Sequence, residues 1–117
     1  MIVEDDVILG WALERALYDA GFGAVKIAAS VGEALKHLRY AHPDVVLLDL
    51  PLRDGQRSLP IADALDDAEI PFVFLTGYRE MVSQRHRRRP YLTKPASAEE
   101  VLEALTSAMA PATAGDV

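Results

Sequence analysis

Val45-Val46-Leu47-Leu48-Asp49 is the stretch that decides how this chain folds. A continuous apolar run suits a parallel strand covered on both faces. Asp49 follows it directly, where a buried strand should give way to a loop. In an open α/β sheet, ligands bind at that edge, outside the carboxyl ends of the strands. Three further features stand at equivalent places: Glu4-Asp5-Asp6 after a first apolar stretch, Thr76 after another, and Lys94-Pro95 after the last. Gathered at one edge, these groups would build a small magnesium and phosphoryl site.

The rest of the chain alternates strands with helices. Met1-Ile2-Val3 reads as a very short first strand. Asp6 caps a helix over 7–20 carrying Ile8, Leu9, Trp11, Leu13 and Leu17, with Gly21 as its stop and Trp11 as core packing. Residues 25–29 read as a second strand. Ser30 and Glu33 form a capping box for a helix to about Ala41, which His42-Pro43 ends. The third strand covers 45–50. A helix follows with Pro60 in its first position and runs to about Ala68. Phe72 to Thr76 is the fourth strand. Residues 77–90 are expected to hold a short or mobile fourth helix, because apolar anchors are scarce there. Tyr91 to Thr93 is the fifth strand. Ser97 and Glu100 form a second capping box for a helix to about Met109, with Val101, Leu102, Leu105 and Met109 facing inward.

With 117 residues, half of them apolar, the chain is long enough for one domain with a genuine core. That domain is expected over 1–110, followed by a disordered tail at 111–117. No apolar run approaches the ~20 residues of a membrane span, and no signal-peptide pattern opens the chain. Zero cysteines exclude disulfides and thiolate metal sites and agree with a cytoplasmic address. The net charge of −6 disfavours nonspecific contact with nucleic acid, although Arg85-His86-Arg87-Arg88-Arg89 gathers positive charge into what reads as a solvated patch. His37, His42 and His86 lack metal-ligand spacing.

Five strands alternating with helices imply an α/β fold: a doubly wound parallel sheet with right-handed crossovers. The flavodoxin-like order 2-1-3-4-5 places strands one and three side by side, and with them Glu4, Asp5 and Asp49.

Acidic pair, strand-end aspartate, strand-end threonine and Lys-Pro, in that order across five strands, resemble the receiver domain of two-component response regulators along nearly the whole chain. Pro71-Phe72-Val73-Phe74-Leu75-Thr76-Gly77-Tyr78 is similar to the Pro-Phe-x-Phe-Ala-Thr-Gly-Tyr signature of a single-domain subclass, with Leu75 replacing the alanine.

This resemblance implies that Asp49 takes a phosphoryl group from a phosphohistidine as an acyl phosphate. It implies Mg²⁺ bound by Asp5, Asp49 and the backbone carbonyl of Pro51, with Glu4 acting through water. Lys94, the Thr76 hydroxyl and the Gly77 N–H would contact the phosphoryl oxygens. Thr76 with Tyr91, or Tyr78 as its rival, would form the conformational switch. The chain would catalyse only its own phosphorylation and dephosphorylation, acting as a relay or phosphate sink.

The implied partners are a sensor histidine kinase, of the HWE type by the subclass resemblance, or a phosphotransfer protein, together with a downstream protein target. Direct DNA binding and membrane contact are not expected, and the chain would be a monomer or weak homodimer.

Several residues depart from the family's pattern. Pro51 has no N–H to offer a phosphoryl group, which points to a weaker or shorter-lived adduct. Asp54 with Gly55 reads as a turn, and Ala96 stands where phenylalanine is common. Two other readings compete. A docking module with the same fold would bind partners regardless of Asp49. A phosphatase would need an acid/base aspartate two positions after Asp49, where Pro51 stands.

Overall fold

The computed structural model describes residues 1–50, 59–77 and 89–110. Strands β1 (Ile2–Val3), β2 (Ile27–Ala28), β3 (Val46–Leu50), β4 (Phe72–Thr76) and β5 (Tyr91–Thr93) pair in parallel in the order β2-β1-β3-β4-β5. Helices α1 (Val7–Asp19), α2 (Val31–Tyr40), α3 (Leu59–Asp67) and α4 (Ala98–Met109) cover both faces. The expected doubly wound fold and strand order are those observed.

Alternation along the strands divides the core in two. Val3, Val46, Leu48, Phe72 and Phe74 point toward α2 and α3, where Ala34, Ile61 and Leu65 meet them. Ile2, Leu47, Val73 and Leu75 point toward α1 and α4, meeting Leu13, Leu17, Val101 and Leu105. Both faces of β3 and β4 are therefore dry, which explains their unbroken apolar sequences.

Local chemistry sets the helix ends. The Asp6 carboxylate accepts from Ile8 N–H (3.0 Å) and Leu9 N–H (3.1 Å), opening α1. At its far end Gly21 takes φ 98°, while Gly21 N–H donates to Tyr18 O and Phe22 N–H to Leu17 O. This left-handed closure is one that glycine makes at low cost. Ser97 and Glu100 form a complete capping box on α4, each bond 3.1 Å. The box expected on α2 is only half formed. Ser30 Oγ accepts from Glu33 N–H, but the Glu33 carboxylate takes the Ala29 N–H (2.6 Å) rather than that of Ser30.

Other expectations need correction. Trp11 is 63% exposed and Ile8 77%, so neither belongs to the core. The buried positions of α1 are Gly10, Leu13 and Leu17. With apolar residues nearly all round this helix, composition could not say which stripe faces inward. β2 is shorter than 25–29 because its ladder extends only as far as Ile2 and Val3 can pair with it. α3 begins at Leu59, making Pro60 its second residue, within the usual uncertainty of a helix boundary. The expected fourth helix, Asp54, the arginines 85–88 and the 111–117 tail lie outside the described residues.

Candidate functional site

Register brings the site together. Val3 pairs with Leu48, so the next residues, Glu4 and Asp49, emerge side by side from β1 and β3. Leu50 pairs with Thr76 and Thr76 with Thr93, which sets Lys94 at the same edge; Lys94 N–H donates to Thr76 O (2.7 Å). The Lys94–Pro95 peptide is cis. Parallel pairing in this strand order thus collects four distant segments at the carboxyl ends of the strands.

Three of the groups gathered there are buried, and Asp5 and Lys94 are half-buried. Asp49 is 2% exposed, Glu4 3% and Thr76 0%. Glu4, Asp5 and Asp49 each offer a carboxylate oxygen, all within 4.8 Å of one another. Lys94 Nζ forms an ion pair with Asp49 Oδ1. Glu4 Oε1 accepts from Asp6 N–H (2.9 Å), tying the cluster to the cap of α1. Glu4 Oε2 is buried with no hydrogen-bond partner among the described residues, and Asp49 Oδ1 has only its contact with the Lys94 ammonium.

Such crowding raises carboxyl pKa values. Burial pushes Glu4 up to about 7, opposed by the Asp6 N–H and reinforced by the charge on Asp49. Burial also raises Asp49, against the downward pull of Lys94. Two buried acids facing each other with an oxygen left unpartnered call for a proton or a cation between them. Three carboxylates and no nitrogen or sulfur donor suit a hard divalent ion such as Mg²⁺, which prefers oxygen and keeps several waters. The residues present fit that ion.

Glu4, Asp5 and Asp49 converge as the sequence suggests, and Thr76 and Lys94 join them. Gly77 follows β4 directly and is half-buried. Tyr91 stands on β5 in register with Phe74, 38% exposed. Pro51 and Tyr78 lie outside the described residues. The bond from Asp6 N–H to Glu4 was not foreseen, because Asp6 reads in sequence only as a helix cap.

Residues 1–106 match the family described as response regulator receiver domain. This chain belongs to that family. The receiver is 34% identical over 113 residues to the acid tolerance regulatory protein ActR of Rhizobium meliloti (strain 1021), a match covering 90% of this chain and 56% of that protein. It therefore spans about half the length of that regulator. It is 30% identical to the chemotaxis protein CheY of Listeria monocytogenes, covering 92% of this chain and 95% of that one. The solution structure of SdrG from Sphingomonas melonis Fr1 superposes with a TM-score of 0.78 at 35% identity, covering 93% of both chains. Among the described residues, no helix of the receiver is long and apolar enough to cross a membrane.

Proposed function

We propose that this receiver accepts a phosphoryl group on Asp49 from the phosphohistidine of a sensor histidine kinase or phosphotransfer protein. The observation that carries this reading is the burial of Asp49 between the Lys94 ammonium and the Glu4–Asp5 pair. An Asp49 oxygen attacks phosphorus, the P–N bond breaks, and the imidazole leaves with the electron pair. Lys94 is placed to follow the charge from carboxylate to phosphoryl oxygen, while the Thr76 hydroxyl and Gly77 N–H donate hydrogen bonds to it. Asp5, Asp49 and the Pro51 carbonyl would hold Mg²⁺, with Glu4 reaching it through water, and the ion would supply positive charge to offset the repulsion between carboxylate and phosphoryl oxygens.

In this reading the chain turns over no external substrate beyond its own phosphorylation and dephosphorylation. It works in the cytoplasm as a relay or phosphate sink, passing its state to another protein rather than to DNA. The subclass signature favours a kinase of the HWE type.

A titration with Mg²⁺ and beryllofluoride followed by NMR tests the reading, with mass spectrometry after incubation with acetyl phosphate. Wild type is expected to show saturable shifts around Glu4, Asp5, Asp49 and Thr76 and the mass gain of one phosphoryl group. Asp49→Asn is expected to show neither the beryllofluoride response nor the adduct. Partner binding that survives Asp49→Asn and ignores beryllofluoride would instead favour a phosphorylation-independent docking module.

A further inference from the structure

α1 carries two apolar faces. The inner one, Gly10, Leu13 and Leu17, is buried. The outer one presents Ile8, Trp11 and Tyr18, which are 77%, 63% and 66% exposed, with exposed Val7 beside them. Single apolar side chains are common on a protein surface, but a row of large ones along one helix marks a contact surface.

Their spacing points to the kind of contact. Ile8, Trp11, Arg15 and Tyr18 follow one another at intervals of three, four and three residues. That is the spacing of side chains lining one seam of a helix that packs lengthwise on another helix. In the same repeat Gly10, Leu13 and Leu17 fall on the opposite side, as their burial requires. The outer seam therefore runs the whole length of α1 while the inner stripe holds the helix on the sheet.

Arg15 sets the direction of the pairing. Two parallel copies of α1 would bring Arg15 against Arg15, which is repulsive. Run antiparallel, the seam becomes its own complement: Ile8 meets Tyr18, Trp11 meets Arg15, and a two-fold axis repeats both contacts. The Arg15 Nε–H donates to Asp19 Oδ2 at 3.2 Å, which occupies one edge of the guanidinium. Its flat face stays available to stack on an indole. Opposed helix dipoles also favour the antiparallel arrangement.

We propose that the outer face of α1 binds a second copy of this chain, antiparallel, with Trp11 of each copy stacked on Arg15 of the other. The helix is already formed and held by its inner face, so pairing carries no cost of helix nucleation. The 13 residues of α1 make a helix about 20 Å long. A pair of that length buries less than the roughly 1,600 Å² of a standard interface. Glu14, at the flank of the seam, also brings like charges near one another. The dimer is accordingly weak, with a Kd on the order of 100 µM.

Sedimentation and ¹⁵N relaxation of the chain from about 20 µM to about 1 mM test the pairing, because that range brackets the expected Kd. Wild type is expected to pass from monomer toward dimer, with amide shifts in Val7 to Tyr18 that follow the same curve. Trp11→Lys, Arg15→Glu and Ile8→Lys should each weaken association at least about tenfold, the scale of losing a central contact. All three positions are exposed, so thermal midpoints should stay close to that of wild type. Direction is read with a nitroxide on Ala20→Cys, a single site because the chain has no other cysteine. Labelled chains mixed with unlabelled ¹⁵N chains should broaden the amides of Asp6 to Ile8.

A wild type that stays monomeric at about 1 mM, ten times the expected Kd, would overturn the proposal and leave this face to a different protein. Dimers that persist undiminished in Trp11→Lys and Ile8→Lys would overturn the placement on α1. Broadening at Tyr18 to Phe22 in place of Asp6 to Ile8 would overturn the antiparallel pairing. The proposal does not rest on phosphoryl chemistry. Trp11→Lys should gain the same mass as wild type from acetyl phosphate, so failure of either reading leaves the other standing.

Discussion

Lys94 meets Asp49 across an intervening strand: Asp49 stands next to the last residue of β3, Lys94 directly follows β5, and β4 lies between them. The contact offsets part of the cost of burying Asp49 beside Glu4. Without the ammonium, a carboxylate is left in low dielectric next to a second acid. Lys94→Met is therefore expected to lower stability at pH 8, in the absence of divalent cations, by roughly 1–3 kcal/mol. The figure sits below that for a fully buried pair because the Lys94 side chain is 33% exposed. Asp49→Asn relieves the repulsion with Glu4 and is expected to stabilise the cation-free protein. Urea unfolding of both single variants and the double variant measures the coupling. Wild-type stability in Lys94→Met would show that the pair contributes nothing.

Glu4 is positioned to titrate near neutrality. Its carboxyl rises from 4.5 to about 7, chiefly through burial. Between those values the folded protein holds a proton that the unfolded chain has released. Stability must then fall as pH rises through that window, and the raised Asp49 acts in the same direction. Urea midpoints of the cation-free protein are expected to drop from about pH 4.5 to about 7, and Glu4→Gln should flatten the drop. Mg²⁺ competes with the same protons, so its calorimetric affinity should rise across the window. A midpoint that climbs with pH over this range would contradict the assignment.

Glu69 ends α3 at a price in backbone strain. Its φ is 58°, while its N–H donates to Asp66 O and the Ile70 N–H to Leu65 O, the same closure that Gly21 provides after α1. A residue with a Cβ is strained in that left-handed conformation, and Glu69 is exposed. Glu69→Gly is expected to raise stability by about 0.5–1 kcal/mol in chemical denaturation. Glu69→Val, with a branched Cβ, should lower it.

For the phosphoryl state proposed on Asp49, the covalent chemistry of Pro51 carries a prediction of its own. A proline nitrogen carries no hydrogen, so this residue cannot donate to a phosphoryl oxygen. Pro51→Asn restores a donor and is expected to lengthen the half-life of phosphorylated Asp49 by about tenfold, the scale of one hydrogen bond to a charged group. Decay of the radiolabelled adduct measures it. Equal half-lives in the two proteins would remove any role for the missing N–H.

The strand order and the site were legible because each rests on short-range pattern. Val45 to Leu48 could only be a strand covered on both faces, and Asp49 could only stand at its end. The convergence of Glu4, Asp5, Thr76 and Lys94 followed once the order 2-1-3-4-5 was assumed. What stayed hidden depends on packing between elements. Trp11 lies on the outer side of α1 because Gly10, Leu13 and Leu17 were the stripe that fitted the sheet. Arg89 appeared to belong to a solvated basic run, yet it pairs with Asp66 and stacks over the Phe72 ring at 5.3 Å. No periodicity marks a contact between the end of one helix and the residue leading into a distant strand.

Among the described residues, Tyr91 is an aromatic side chain placed to report on Asp49. It sits on β5, three residues before Lys94, and is 38% exposed, whereas Thr76 has no exposed surface. A ring partly in water gains by moving inward if a shift of the Thr76 hydroxyl toward a phosphoryl group opens space beside it. Beryllofluoride is therefore expected to reduce the solvent exposure of Tyr91, read by ring-proton shifts. Tyr91→Phe should keep the change in partner affinity on phosphorylation, because the ring itself fills the space. Tyr91→Ala should reduce that change by about tenfold, a coupling free energy within the usual allosteric range. Tyr78→Ala is the necessary comparison, since Tyr78 belongs to the same sequence signature as Thr76. In all three variants Asp49 should still take up the phosphoryl group from acetyl phosphate, which separates switching from chemistry. If neither alanine variant alters the coupling, the signal leaves Asp49 by a route that involves no aromatic switch.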